Sequence, residues 1–174
     1  NMIKKSRYID KLRENHLFQE DTSDCGPYVI AMSLNAVLHN MFSGVEISKD
    51  MNALHWWFIV PVIMRIPSWA TFPWGITWYV RRHGMQSTWR ILATRKSLIE
   101  SIGKPHLQIV LVGGYKPLWA HYKILVAYDE LTDKLGFIDP GSRLPNIIWQ
   151  KSEVFYNEWR HFGQLRVIIK DPSA

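Results

Sequence analysis

The sequence predicts an α+β fold on three observations. A long apolar-rich helical pattern starts at Pro27, and strand-like patterns dominate only after Gly84, so helices precede sheet. Leu107-Gln108-Ile109-Val110-Leu111-Val112 is an apolar run of strand length. Beyond it, segments 121–128 and 135–138 flank the short polar Glu130-Leu131-Thr132-Asp133-Lys134, the pattern of an antiparallel hairpin. The 174 residues suit one domain over 1–174, with a lead at 1–18 and a core at 19–170.

Taken in order, residues 1–24 are polar, with a weak periodicity around Ile9, Leu12 and Phe18. Tyr28, Met32, Ala36 and His39 share one helical stripe, which Val29, Leu34, Val37 and Leu38 widen into a largely buried helix ending near Asn40. Gly26-Pro27 suits its first turn, where proline's missing donor costs nothing. Ser48-Lys49-Asp50 predicts the cap of a second helix over about 50–58. Pro61, Pro67 and Pro73 break the next segment, which is expected to wrap the surface or line a groove. Pro73-Trp74-Gly75 opens a short helix that Gly84 ends, followed by a strand over 87–93 and a helix over 96–102. The pattern closes with strands at 146–149 and 165–169 around a helix from Ser152 to Trp159.

Composition excludes several classes. One cysteine, Cys25, rules out an internal disulfide framework. The formal charge of +6 is spread thinly, its densest clusters being 2–7 and Arg81-Arg82-His83, so no nucleic-acid partner is expected. The apolar run 56–64 contains Pro61 and is too short to span a bilayer, so no integral membrane segment and a soluble domain are expected. No signal peptide is visible. If the opening Asn1-Met2 carries a cloning remnant at Asn1 and an upstream targeting segment was trimmed, an exported location is the alternative. Compartment and oligomeric state stay open, with a cytoplasmic location favoured. No metal or cofactor is expected.

Cys25 is the centre of the chemistry. A buried cysteine is ordinarily inert, but this one stands at the mouth of a helix, where negative charge is stabilised. Asp21 and Asp24 oppose a thiolate there, so a cationic partner is needed, and Asp24 itself has no assigned role. Among seven histidines, His39 falls two turns too far along the helix, and His16 is not excluded by spacing. His55, His83, His106 and His161 suit solvated or capping roles. His121 opens an apolar strand directly after the glycine-bearing loop 113–120, so it is both held and exposed to a cleft. If 122–138 is a hairpin, Asp139 lies beside His121, suited to orient an imidazolium. Gln19, six residues before Cys25, is positioned to donate to an oxyanion with the Cys25 backbone N–H.

Gln19, Asp24-Cys25-Gly26-Pro27, His121 at the start of a strand ending Ala127-Tyr128-Asp129, and Asp139-Pro140 together resemble the papain-like double-glycine (bacteriocin-processing) peptidases, more closely their stand-alone bacterial relatives. Pro73-Trp74-Gly75 to Arg82-His83-Gly84, and 97–110, resemble that family's middle segments, so the likeness runs from about Gln19 to Ile169. It implies a papain-like cysteine proteinase fold, with an N-terminal helical part carrying the nucleophile helix packed on a C-terminal antiparallel sheet. It further implies Cys25 as nucleophile, His121 as base, Asp139 as orienter, Gln19 in the oxyanion hole, and Trp74, Gly114 and Trp119 against a peptide or protein substrate. Acyl transfer or deamidation on the same residues, and an inactive peptidase-like binding module, are the alternatives.

Overall fold

A computed structural model of the chain describes residues 2–172; Asn1, and the last two residues of the expected 1–174 domain, lie outside the described residues. The elements run β1 (Ile3–Lys5), α1 (Ile9–Glu14), α2 (Cys25–Leu38) and α3 (Gly44–Asn52). Two small ribbons follow, β2 (His55–Trp57) with β3 (Val60–Val62), and β4 (Arg65–Ile66) with β5 (Ala70–Thr71). Next come α4 (Pro73–Arg82), β6 (Gln86–Arg90), α5 (Arg95–Ser101), β7 (His106–Tyr115), β8 (Leu118–Asp129) and β9 (Lys134–Ile138). The chain ends with β10 (Ile148–Lys151), α6 (Ser152–Arg160) and β11 (Arg166–Lys170). The main sheet is antiparallel in the order β10-β9-β8-β7-β11-β6, and β1 pairs with the last residues of β8.

The apolar run 107–112 reads without alternation because both of its faces are covered. Ile109, Ile124, Val126, Val167 and Ile169 pack on one side with Val29, Ile30, Met32 and Leu34 of α2 and Ile76 and Val80 of α4. Val110, Val112, Leu125 and Phe137 face the other side, against Leu98 of α5 and Phe155 and Trp159 of α6. The α+β class and the packing of the Cys25 helix on the later sheet are therefore as expected. The polar lead is less separate than its composition implies, since Tyr8, Ile9 and Leu12 belong to the first of these clusters.

Three expectations fail. No helix covers 50–58: α3 starts earlier, with the Ser43 hydroxyl accepting from the Glu46 N–H, and ends at Asn52. The β-branched and aromatic residues after it prefer a pleated ribbon, which turns at Phe58 (φ 55°) and tolerates Pro61 because it has no further strand beside it. His121 does not open its strand, because β8 begins at Leu118. The glycine-bearing segment is not a loop either: Gly113 pairs with Ala120 and Gly114 with Trp119, so β7 and β8 continue as a ribbon past His121. Smaller differences affect 87–93, where the strand stops at Arg90, and 146–149, where it begins at Ile148. No described helix is long and apolar enough to cross a membrane.

Candidate active site

Cys25 is the first residue of α2 and is half-buried. Gly26 is required behind it, since a Cβ there would stand 2.4 Å from the Thr71 side chain of β5. Asp24, one residue before, forms no side-chain cap on the helix. It accepts instead from Arg65 Nη2 at 2.7 Å and from the Ser48 hydroxyl at 3.2 Å. The Arg65 side chain is completely buried, and its guanidinium also bonds Ser48 Oγ and the Ser23 carbonyl. The charge that opposes a thiolate at Cys25 is thus met by a cation from β4. The sequence carries only a weak signal for Arg65, a lone arginine closing the apolar run 56–64.

The β8–β9 hairpin brings His121 and Asp139 together, with Nε2 of the imidazole 2.5 Å from Asp139 Oδ1. The same carboxylate oxygen accepts the Gly141 N–H at 2.7 Å. A Cβ on Gly141 would lie 3.1 Å from Asp139 Oδ1 and 3.4 Å from His121 Cε1, so this residue borders the pair closely. Burial by itself would lower the His121 pKa, but hydrogen bonding and charge from Asp139 and from Cys25 prevail and hold it at about 9. Burial would raise Asp139, yet His121, the Gly141 N–H and Lys123 bring it below the ordinary carboxylate value. The imidazole is therefore cationic at neutral pH, with an anionic partner on one side and the Cys25 thiol within interaction range. Tyr122 is fully buried, donates to the Thr71 carbonyl at 2.9 Å, and is pushed up by burial and by Cys25.

A pH dependence of stability follows. A histidine whose folded pKa is raised from about 6.5 to about 9 contributes stability fully below the lower value and loses it as the pH rises through the upper one. The Tm difference between the wild type and His121→Gln is expected to be largest near pH 6 and to shrink through about pH 9. Thermal unfolding across that range checks it, and a constant difference would contradict it.

Gln19 sits beside this end of the hairpin, its backbone N–H donating to the Pro140 carbonyl at 2.9 Å. Its side chain is buried, with Nε2 donating to the Thr22 carbonyl at 2.7 Å and Oε1 without a partner among the described residues. One Nε2 proton is thus taken up in holding the 19–22 turn, which Thr22 Oγ1 closes by donating to the Gln19 carbonyl. His16, which spacing left open, has Nε2 3.1 Å from the Asp139 carbonyl oxygen and so abuts the Asp139 end of the hairpin.

The other expected residues divide. Trp119 lies across Gly114, where a Cβ would stand 2.8 Å from the indole Nε1; both belong to the ribbon extending past His121. Trp74 is held elsewhere, donating to the Ile63 carbonyl at 2.9 Å and stacking on Phe72. It lines a cavity of about 360 Å³ with Trp57, Trp78, Trp89 and Arg81, a lining that includes none of Cys25, His121, Asp139 or Gln19. Of the remaining histidines, His55 bonds the Asp50 carbonyl and His83 the Tyr79 carbonyl, whereas burial and nearby cations lower His106 to about 4. Among the described residues, no group of three or more His, Cys, Asp or Glu is arranged to hold a metal ion.

No family model and no curated protein sequence matches the chain. Solved structures do. A protein described as a C39-like peptidase from Bacillus anthracis superposes with a TM-score of 0.67 at 10% identity, over 88% of this chain and 92% of that one. The peptidase domain of Streptococcus ComA, a bifunctional ABC transporter, gives 0.60 at 18% identity over 88% and 96%. The peptidase domain of Streptococcus mutans ComA gives 0.53 at 17% over 89% and 98%. At these identities the likeness is one of fold: the chain has the architecture of the C39-like and ComA peptidase domains along most of its length.

Proposed function

We propose that the protein is a cysteine peptidase or related amide hydrolase acting on a peptide or protein substrate. The observation that carries this is the His121–Asp139 hydrogen bond, with Cys25 at a helix entrance, on a fold shared with peptidase domains. The Cys25 thiolate attacks the substrate carbonyl carbon, and the carbonyl π electrons move to oxygen. The free Nε2 proton of Gln19 and the Cys25 backbone N–H donate to that oxyanion. Asp139 occupies Nε2 of His121, so Nδ1 is the nitrogen that exchanges the proton. His121 protonates the leaving amine as the C–N bond breaks, leaving a thioester on Cys25. It then takes a proton from water, whose oxygen displaces the sulfur and releases the acid. Arg65 acts on this chemistry by cancelling the charge of Asp24, not by touching the substrate.

Iodoacetamide labelling tests the thiolate–imidazolium pair without knowledge of the natural substrate. Cys25, the only thiol, is expected to be alkylated more than about tenfold faster than a free model thiol at neutral pH. His121→Ala is expected to remove that advantage. Equal rates in the two proteins would overturn the pair, and with it the peptidase mechanism.

A further inference from the structure

The β2–β3 ribbon exposes five consecutive apolar side chains, Trp56 to Val60, with Phe58 and Ile59 at its tip 88% and 89% exposed. Contiguous apolar surface of this kind is uncommon on a soluble monomer and marks an interaction site. Trp57 pairs with Val60, so Phe58 and Ile59 form a convex two-residue tip, not a groove. The root is fixed: His55 bonds the Asp50 carbonyl at 2.6 Å and meets Trp78 edge-on, and Trp74 donates to the Ile63 carbonyl. The tip is therefore presented by a held ribbon.

Charge identifies the kind of partner. From residue 51 to residue 99 the sequence has no Asp or Glu but contains Arg65, Arg81, Arg82, Arg90, Arg95 and Lys96, which equals the formal excess of +6 for the whole chain. Arg65 and Arg95 are paired with Asp24 and Asp133. Arg81, Arg82 and Arg90 are exposed and make no ion pair among the described residues. Arg82 lies 4.5 Å from the centre of the Trp78 ring, and Arg81 lines the same cavity as Trp57 and Trp89. Six of the nine tryptophans, at 56, 57, 69, 74, 78 and 89, fall in this one segment. Apolar residues at a convex tip, indoles behind them and the unpaired Arg81 and Arg82 beside those indoles match the layers of an anionic bilayer surface. A protein partner would gain register from polar side chains at the tip, and residues 56–60 offer none besides the indole N–H groups.

We propose that the β2–β3 ribbon is an interfacial anchor for an anionic lipid surface. Phe58 and Ile59 enter the acyl boundary, Trp56 and Trp57 sit among the headgroups, and Arg81 and Arg82 meet lipid phosphates. The anchor requires nothing of Cys25 or His121, so it stands or falls separately from the proposed chemistry.

The full chain is mixed with vesicles of phosphatidylcholine alone and with added phosphatidylglycerol, and followed by co-sedimentation and tryptophan emission. The expected result is binding to the anionic vesicles with a blue shift. The partition coefficient should fall more than about tenfold in Phe58→Ser/Ile59→Ser, and by a smaller factor in Arg81→Gln/Arg82→Gln. Iodoacetamide labelling of Cys25 should be unchanged in the hairpin variant, which shows that it is folded. An arginine pair acting through the fold alone would leave the salt sensitivity of binding unchanged, whereas the anchor requires it to weaken. Absence of vesicle binding by the wild type, or binding that survives loss of both tip residues, overturns the proposal. So does self-association or DNA binding that the tip substitutions abolish while vesicle binding is absent.

Discussion

Cys25→Ala is expected to abolish amide hydrolysis, a loss of about six orders of magnitude if the nucleophile contributes as in well-studied covalent hydrolases. The reason is chemical: with no sulfur there is no thioester, and the only route left is direct attack by water. Gln19→Ala keeps the nucleophile and removes one oxyanion donor, so its cost is expected to be smaller, about two to three orders in kcat. Part of that cost is structural, because the same amide holds Thr22. Thr22→Ala, which frees the turn but not the amide, provides the comparison. Turnover of a peptide mixture, read by mass spectrometry, measures all three. Residual cleavage in Cys25→Ala near the wild-type rate would remove Cys25 from the mechanism.

Asp24→Asn is expected to destabilise the fold more than any other single charge change near the site. It leaves the Arg65 guanidinium fully buried with no counter-charge. Breaking a buried pair from one side costs about 3–5 kcal/mol. For a chain of this size that lowers Tm by roughly 10 °C. Arg65→Met is expected to cost less, because the Asp24 side chain is 21% exposed and keeps some solvation. The double variant should recover much of the loss, since it removes both charges together. Thermal unfolding of the four proteins closes the cycle, and additive effects would contradict a direct pairing. Arg65→Met should also slow iodoacetamide labelling of Cys25, because the Asp24 charge would then act on the thiol uncancelled.

Most of the fold was legible because the signals were local. Pro27 to Leu38 reads as a buried helix from its apolar content, and 107–112 as a buried strand from its length. The polar turn 130–134 foretold the hairpin, and the hairpin foretold that Asp139 would meet His121. Residues 50–58 carry a misleading helix signal because Ser48-Lys49-Asp50 resembles a cap, while the actual cap, Ser43, lies before a glycine that gives no apolar period. The segment 113–120 has the sequence of a loop because glycine usually breaks a strand. Here Gly113 and Gly114 are the residues that allow the Trp119 backbone and indole to approach closely.

By itself, the sequence determined the order of helix and sheet, the position of Cys25 at a helix entrance, and the candidate pairing of His121 with Asp139. Each of these depends on periodicity or on a short turn, which neighbouring residues dictate. Only the tertiary structure decided what becomes of Asp24, that Gln19 already holds Thr22, and that Trp74 lines a cavity bordered by none of Cys25, His121, Asp139 or Gln19. Asp24 and Arg65 stand 41 residues apart in sequence, and no local pattern encodes which buried cation meets which carboxylate. That choice is made when β4 packs beside the start of α2 and burial makes an unpaired charge too costly to leave.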